Sequence, residues 1–246
     1  MKHLISKTTK WLILPAIASI SFFAGSYFSA ETLPIDESLI DFHTTQGREL
    51  LFSSAAQQDY LPLSEQFVTQ INGAYCGIAS MVIALNALGI EAPFAPELGE
   101  KYFTQTNIFN TEMENIHPAD KIRWQGMTLS QLGQLLSTYP VDVEVHHGSD
   151  LSLSEFRELV RQNLQEPNNY ILVNYLRRAI NQESGGHISP IAAYNEESDR
   201  LLILDVATYK YPPVWVTVED LWAAINTIDP SVDQTRGLVA ISKRNE

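Results

Sequence analysis

Cys76 is the only cysteine among the 246 residues. It lies in "QINGAYCGIAS", residues 70–80, at the head of a run with no charge until Glu91. A cysteine so placed is either a small buried hydrophobe or a nucleophile at a helix N-terminus, where backbone N–H groups and the macrodipole stabilise a thiolate. A nucleophile needs a base, and the base needs an orienting group. Among the histidines, His187 follows two glycines in "ESGGHISPIAAY" and opens an apolar strand. The next strand, "LLILDVAT", carries Asp205 in an apolar setting. An unpaired buried carboxylate costs several kcal/mol or stays protonated, and an imidazole partner removes that problem. The polar turn "NEESDR" folds one strand back on the other and brings the two residues near each other. Gln70 lies six residues before Cys76. Its side-chain N–H₂ and the Cys76 backbone N–H can converge to hold the oxyanion of a tetrahedral intermediate. Gln70, Cys76, His187 and Asp205 together spell acyl transfer, by the logic of papain-like enzymes.

The other histidines offer less. His3 and His43 precede the catalytic segments, and His117 is followed by a proline. His146 and His147 are adjacent in "EVHHGSD"; neighbouring side chains point apart, so no metal site is assigned there.

Helices and a sheet must position this set. Residues 78–88, "IASMVIALNAL", are apolar on nearly every face, as a buried helix is, with Asn72 or Gly73 as N-cap and Gly89 just past the end. Gly77 is expected to keep the backbone beside the sulfur open to substrate. Residues 128–139 are expected to form an amphipathic helix capped by Thr128, and residues 152–165 another. Residues 141–145 alternate as a strand, and 170–176, 187–194, 201–208, 214–218 and 238–242 read as further strands. The expected fold class is α+β. A helical lobe with a central cysteine helix faces a mostly antiparallel sheet lobe across a cleft.

Composition narrows the partners. A formal net charge of −13 argues against nucleic acid, whose phosphates need a basic surface. A single cysteine excludes an intramolecular disulfide framework and any CxxC-based zinc site. Lys2, Lys7 and Lys10 precede an uncharged stretch from Trp11 to Ala30. Residues 1–30 are therefore expected to be a secretory signal or, at ~20 apolar residues, an uncleaved membrane anchor. The catalytic domain would be residues 31–246, periplasmic or facing the extracytoplasmic side. An unpaired thiol in that oxidising setting reads as reactive.

The segments "TQINGAYCGIASMVIALNALGI", "NYLRRAINQESGGHISPIAAYN" and "LLILDVATYKYPPVWVTVEDLWAAINTID" strongly resemble the phytochelatin synthase family, the glutathione γ-glutamylcysteinyltransferases, over roughly residues 35–245. The resemblance implies a papain-like fold and glutathione as substrate. It places the family's catalytic cysteine, histidine and aspartate on Cys76, His187 and Asp205, its oxyanion glutamine on Gln70, and a substrate-binding arginine on Arg177. It implies no required cofactor, with heavy-metal ions or metal–glutathione complexes as candidate activators, and leaves a homodimer open. The chain lacks the cysteine-rich C-terminal extension of plant members and is similar to the short prokaryotic type. The expected activity is thus mainly hydrolysis of glutathione to γ-Glu-Cys, with little phytochelatin synthesis. A papain-like peptidase acting on other peptides, and a non-catalytic thiol-binding protein, remain the alternatives.

Overall fold

The central strands of this chain are nearly unbroken apolar runs because both faces of their sheet are covered. The computed structural model describes residues 32–244. The expected signal or anchor at residues 1–30, His3 included, lies outside the described residues. Among the described residues, no helix is long and apolar enough to cross a membrane.

The chain begins with strand β1 (Ile40–Asp41), helices α1 (Thr45–Ser53) and α2 (Tyr60–Glu65), and the cysteine helix α3 (Cys76–Ala87). The hairpin β2 (Phe94–Ala95) and β3 (Glu100–Lys101) follows, then α4 (Thr111–Ile116), α5 (Ala119–Gln125), α6 (Leu129–Leu136) and strand β4 (Val141–His147). Helix α7 (Leu153–Asn163) leads into β5 (Asn169–Leu176), β6 (Gly186–Asn195), β7 (Arg200–Ile203) and β8 (Val214–Thr217). Helix α8 (Val218–Ile225), the hairpin β9 (Ile228–Asp229) and β10 (Gln234–Thr235), and strand β11 (Gly237–Lys243) complete the order. Seven strands form one antiparallel sheet in the order β1-β8-β7-β6-β5-β11-β4.

Alternation along the strands divides the core in two. Leu172, Leu202, Trp215 and Val239 pack with α1, α2, α3 and α6 on one face. Val173, Leu201, Val216 and Leu238 pack with α7 and α8 on the other. The mixed helical and antiparallel composition is α+β, as expected. The division into a helical first half and a sheet second half holds only in part. Strand β4 leaves the first half to pair with β11, and α7 and α8 back the far face of the sheet. Their apolar stripes have no other surface to cover.

Two local features depart from expectation. The strand at 201–208 stops at Ile203, because the Asp205 carboxylate accepts the Ala207 N–H and turns the backbone out of the sheet. Helix α8 begins at Val218, inside the run 214–218 that alternation assigns to a strand; Thr217 caps it by accepting the Asp220 N–H. The expected cap at Thr128 forms a full capping box, and Ser152 forms a second one at the start of α7. At the end of α3, Gly89 adopts φ 62°, with Gly89 donating to the Asn86 carbonyl and Ile90 to that of Leu85, a Schellman closure.

Asp59, just before α2, is fully buried, and neither carboxylate oxygen has a partner among the described residues. Burial pushes its pKa up to about 9, so it is folded as the neutral acid. The native state then holds a proton that the unfolded chain releases above about pH 4. This contribution is fully present below that pH and declines by up to ~1.4 kcal/mol per unit as pH rises toward 9. Urea midpoints measured from pH 6 to pH 8.5 (roughly the middle of that window) should fall less for Asp59→Asn than for the wild type. Parallel falls would show that Asp59 carries no buried proton.

Candidate active site

Cys76 occupies the first position of α3, a helix buried along almost its whole length. The N-cap is Tyr75, which makes no side-chain cap bond. Asn72 and Gly73, the expected caps, belong to the preceding turn instead: Asn72 Oδ1 accepts the Ala74 N–H at 2.8 Å and its carbonyl accepts the Tyr75 N–H. The uncapped helix end leaves backbone donors for the sulfur, which the N–H groups of Gly77 and Ile188 approach. Gly77 is small for a reason other than substrate access. A Cβ there would lie 2.5 Å from the Met127 sulfur, so the glycine lets the segment after α5 close on α3. Ser80, one turn later, ties α3 to the sheet by donating to the Cys76 and Ile188 carbonyls.

His187 stands at the start of β6, opposite Tyr175 on β5. The tyrosine ring packs edge-on to the imidazole, with centroids 5.8 Å apart. His187 Nε2 lies 2.9 Å from Asp205 Oδ1 and donates to it, which leaves Nδ1 to face the Cys76 thiol. Asp205 has no solvent contact; its Oδ1 also accepts from Arg177 Nη2 and the Ala207 N–H, each at 2.8 Å. Burial pushes the Cys76 thiol up, but the hydrogen bond and charge of His187, with the two backbone donors, outweigh it and the net shift is downward. Burial likewise opposes charge on His187, and the Asp205 carboxylate more than offsets it, raising the imidazole. Burial works against ionised Asp205 too; His187 and Arg177 together hold it well below the ordinary carboxylate range. These shifts favour a thiolate–imidazolium pair, the reactive form of a nucleophilic cysteine.

Residues 30–238 match the family described as phytochelatin synthase. The chain belongs to the phytochelatin synthase family. It is 34% identical over 208 residues to glutathione gamma-glutamylcysteinyltransferase 3 of Lotus japonicus, covering 83% of this chain and 42% of that protein. The corresponding transferase 1 of Arabidopsis thaliana is 34% identical over 209 residues, again 83% of this chain and 42% of the relative. The Schizosaccharomyces pombe transferase is 25% identical over 203 residues, 81% of this chain and 48% of the relative. The chain spans less than half the length of these curated relatives.

One residue that likeness to phytochelatin synthases implies is placed differently from expectation. Arg177 was expected to meet substrate. It is buried instead, with Nη1 2.7 Å from Asp205 Oδ2 and 2.6 Å from Gln182 Oε1, and its guanidinium 5.0 Å over the Tyr211 ring. The physical reason is Asp205 itself: a carboxylate without water requires a full opposite charge, and Arg177 supplies it. Gln70 is also buried, and its Nε2 donates to the Asn72 carbonyl at 2.7 Å and to the Tyr209 hydroxyl at 2.9 Å. The remaining described histidines do not join the row, although His117 lines the same cleft. His117 meets the Gly126 carbonyl, His146 faces Glu144, His147 meets the Thr235 carbonyl, and His43 lies beside Asp41.

Cys76 and His187 open onto a cleft of about 790 Å³ whose walls include Asn174, Asp229, Arg236, Met127 and Trp124. Arg236 is 7% exposed, donates weakly to Asn174 and Asp229, and keeps its Nε buried without a partner among the described residues. Gly185 and Gly186 make this arrangement: the first takes φ 106°, and a Cβ on the second would collide with the Arg236 guanidinium. The sequence reading passed over Arg236, Asp229 and Asn174. The signal available was a polar Asn174 inside "YILVNYL" and a charge directly before the buried strand "GLVAIS".

Arg177→Met removes the charge partner of a buried carboxylate and should destabilise the fold by about 3–5 kcal/mol in urea unfolding. The adjacent exposed Arg178→Met should stay within about 0.5 kcal/mol. Equal and small effects would return Arg177 to the role of a free cation.

Proposed function

We propose that this chain is a cysteine-nucleophile acyltransferase and hydrolase that cleaves glycine from glutathione through a γ-Glu-Cys thioester on Cys76. The observation that carries the reading is the unbroken chain of contacts from Arg177 to Asp205, His187 and Cys76 at the edge of a charged cleft. A cysteine heading a buried helix against an antiparallel sheet that bears the histidine also supports a papain-like fold.

The Cys76 thiolate attacks the carbonyl carbon of the Cys–Gly peptide of glutathione. The C–S bond forms, and the carbonyl electron pair moves to an oxyanion held by the Cys76 N–H and Gln70. As the intermediate collapses, the C–N bond breaks and imidazolium His187 gives its proton to the departing glycine nitrogen. Neutral His187 then takes a proton from water as the water oxygen attacks the thioester, and γ-Glu-Cys leaves the restored thiolate. Acylation so drawn uses side chains of this protein together with the Cys76 backbone N–H. Asp205 fixes the ring tautomer and Arg177 keeps Asp205 ionised.

The γ-glutamyl head of glutathione is a free amino acid, with one carboxylate and one ammonium. Arg236 with Asn174 suits the carboxylate, and Asp229 suits the ammonium. In a protein of net charge −13, a half-paired, almost buried arginine in the cleft is the local attraction that an anionic substrate requires. Transfer to a second glutathione would give a short phytochelatin and needs a held acceptor amine. Without one, water at roughly 55 M should outcompete a millimolar amine. Hydrolysis is therefore proposed as the main activity.

Chromatography after incubation with glutathione should give glycine and γ-Glu-Cys in equal amounts. Cys76→Ser should give neither, and Arg236→Met should lower kcat/KM by roughly 10- to 100-fold, the worth of a charged hydrogen bond. A tripeptide in which an ordinary α-linked residue replaces the γ-glutamyl group should stay intact. Equal cleavage of that tripeptide would point to a general peptidase, and product mostly in γ-Glu-Cys-γ-Glu-Cys-Gly would contradict the hydrolase assignment.

A further inference from the structure

The Gln70 amide has a fixed orientation. The Asn72 carbonyl can only accept, so the amide atom 2.7 Å from it is the nitrogen. The second hydrogen of that nitrogen goes to the Tyr209 hydroxyl at 2.9 Å, and the amide oxygen is buried without a partner among the described residues. Both N–H bonds of Gln70 are thus occupied in the resting enzyme, whereas an oxyanion donor must have one to give.

The two acceptors differ in how readily they release it. Asn72 is pinned in its turn by bonds to Ala74 and Tyr75. Tyr209 lies between β7 and β8 and is 48% exposed, so its hydroxyl can turn to water. Its neighbours keep it close to Gln70: the Gln70 N–H donates to the Val206 carbonyl at 2.9 Å, and the Thr69 and Thr208 hydroxyls are 2.7 Å apart. The same short segment starts at Asp205, so the oxyanion donor and the carboxylate behind the base share one scaffold.

Resting on the reading of Gln70 as an oxyanion donor, we propose that Tyr209 is a positioning residue that occupies one Gln70 N–H in the resting state and yields it as the oxyanion forms. Asn72 then keeps the amide oriented while Tyr209 exchanges. The hydroxyl competes with the transition state, so its removal should speed acylation. A residue that merely supported the loop would slow it.

Single-turnover acylation by glutathione, with the thioester on Cys76 trapped by acid and followed by mass spectrometry, tests this. Tyr209→Phe should raise the maximal acylation rate by about two- to tenfold, the range of one neutral hydrogen bond. The glutathione concentration giving half that rate, and the rate of Cys76 alkylation by iodoacetamide, should not change. In a Gln70→Ala background, Tyr209→Phe should have no effect. A slower or unchanged rate in Tyr209→Phe, or the same gain without Gln70, would overturn the proposal and leave the glutathione reading intact. A wild-type protein that never forms the thioester would overturn both.

Discussion

A carboxylate sealed from water organises this molecule. Asp205 is charged and fully buried, an arrangement that survives only if donors surround it. Arg177, His187 and the Ala207 N–H provide them, and each constrains a different part of the chain. The Ala207 bond ends β7 and starts the loop that carries Tyr209 to Gln70. Arg177 fixes the turn after β5 through Gln182 and the face of Tyr211. His187 must stand at the head of β6, where the Cys76 helix packs on the sheet. The geometry of the candidate site is therefore the same set of contacts that makes the buried charge tolerable.

Charge alternates along this row: guanidinium, carboxylate, imidazolium, thiolate. In that form each group is flanked by opposite sign, and the neighbours shift every one of them toward its charged form against the effect of burial. Arg177 is fully engaged in that row, so in the proposed reaction recognition of an anionic substrate falls to another cation. Arg236 fits the task because its own partners, Asn174 and Asp229, leave part of the guanidinium unanswered. Gly186, directly before His187, admits it to the cleft wall.

Much of this was legible in the sequence where residue type was rare in its setting. A single cysteine, a histidine after two glycines and an acid within "LLILDVAT" stood out against apolar surroundings, and the structure brings the three into one row. The antiparallel hairpin that joins them followed from one polar turn. Arg177 was assigned to substrate because a sequence does not say which charge a buried acid will claim. Arg236 was missed because its partners come from β5 and the β9–β10 hairpin, far apart in sequence. Helix α8 was hidden because its first residue continues a strand-like alternation, and its cap at Thr217 outweighs that pattern only once the sheet has ended. Gly77 was read for chemistry when packing against Met127 explains it.

The central claim is that the Arg177–Asp205–His187 row holds Cys76 as a thiolate. Ultraviolet absorbance of the thiolate, followed through a pH titration of the resting enzyme and of His187→Ala, tests it most directly. Cys76 is the only thiol in the sequence, and subtracting the same titration of Cys76→Ser removes the overlapping absorbance of the ten tyrosines. The row predicts a wild-type midpoint below that of a free thiol, about 8.5. In His187→Ala the burial of Cys76 acts unopposed by the imidazole, and the midpoint should move to the free-thiol value or above. Matching midpoints in the two proteins would contradict the account.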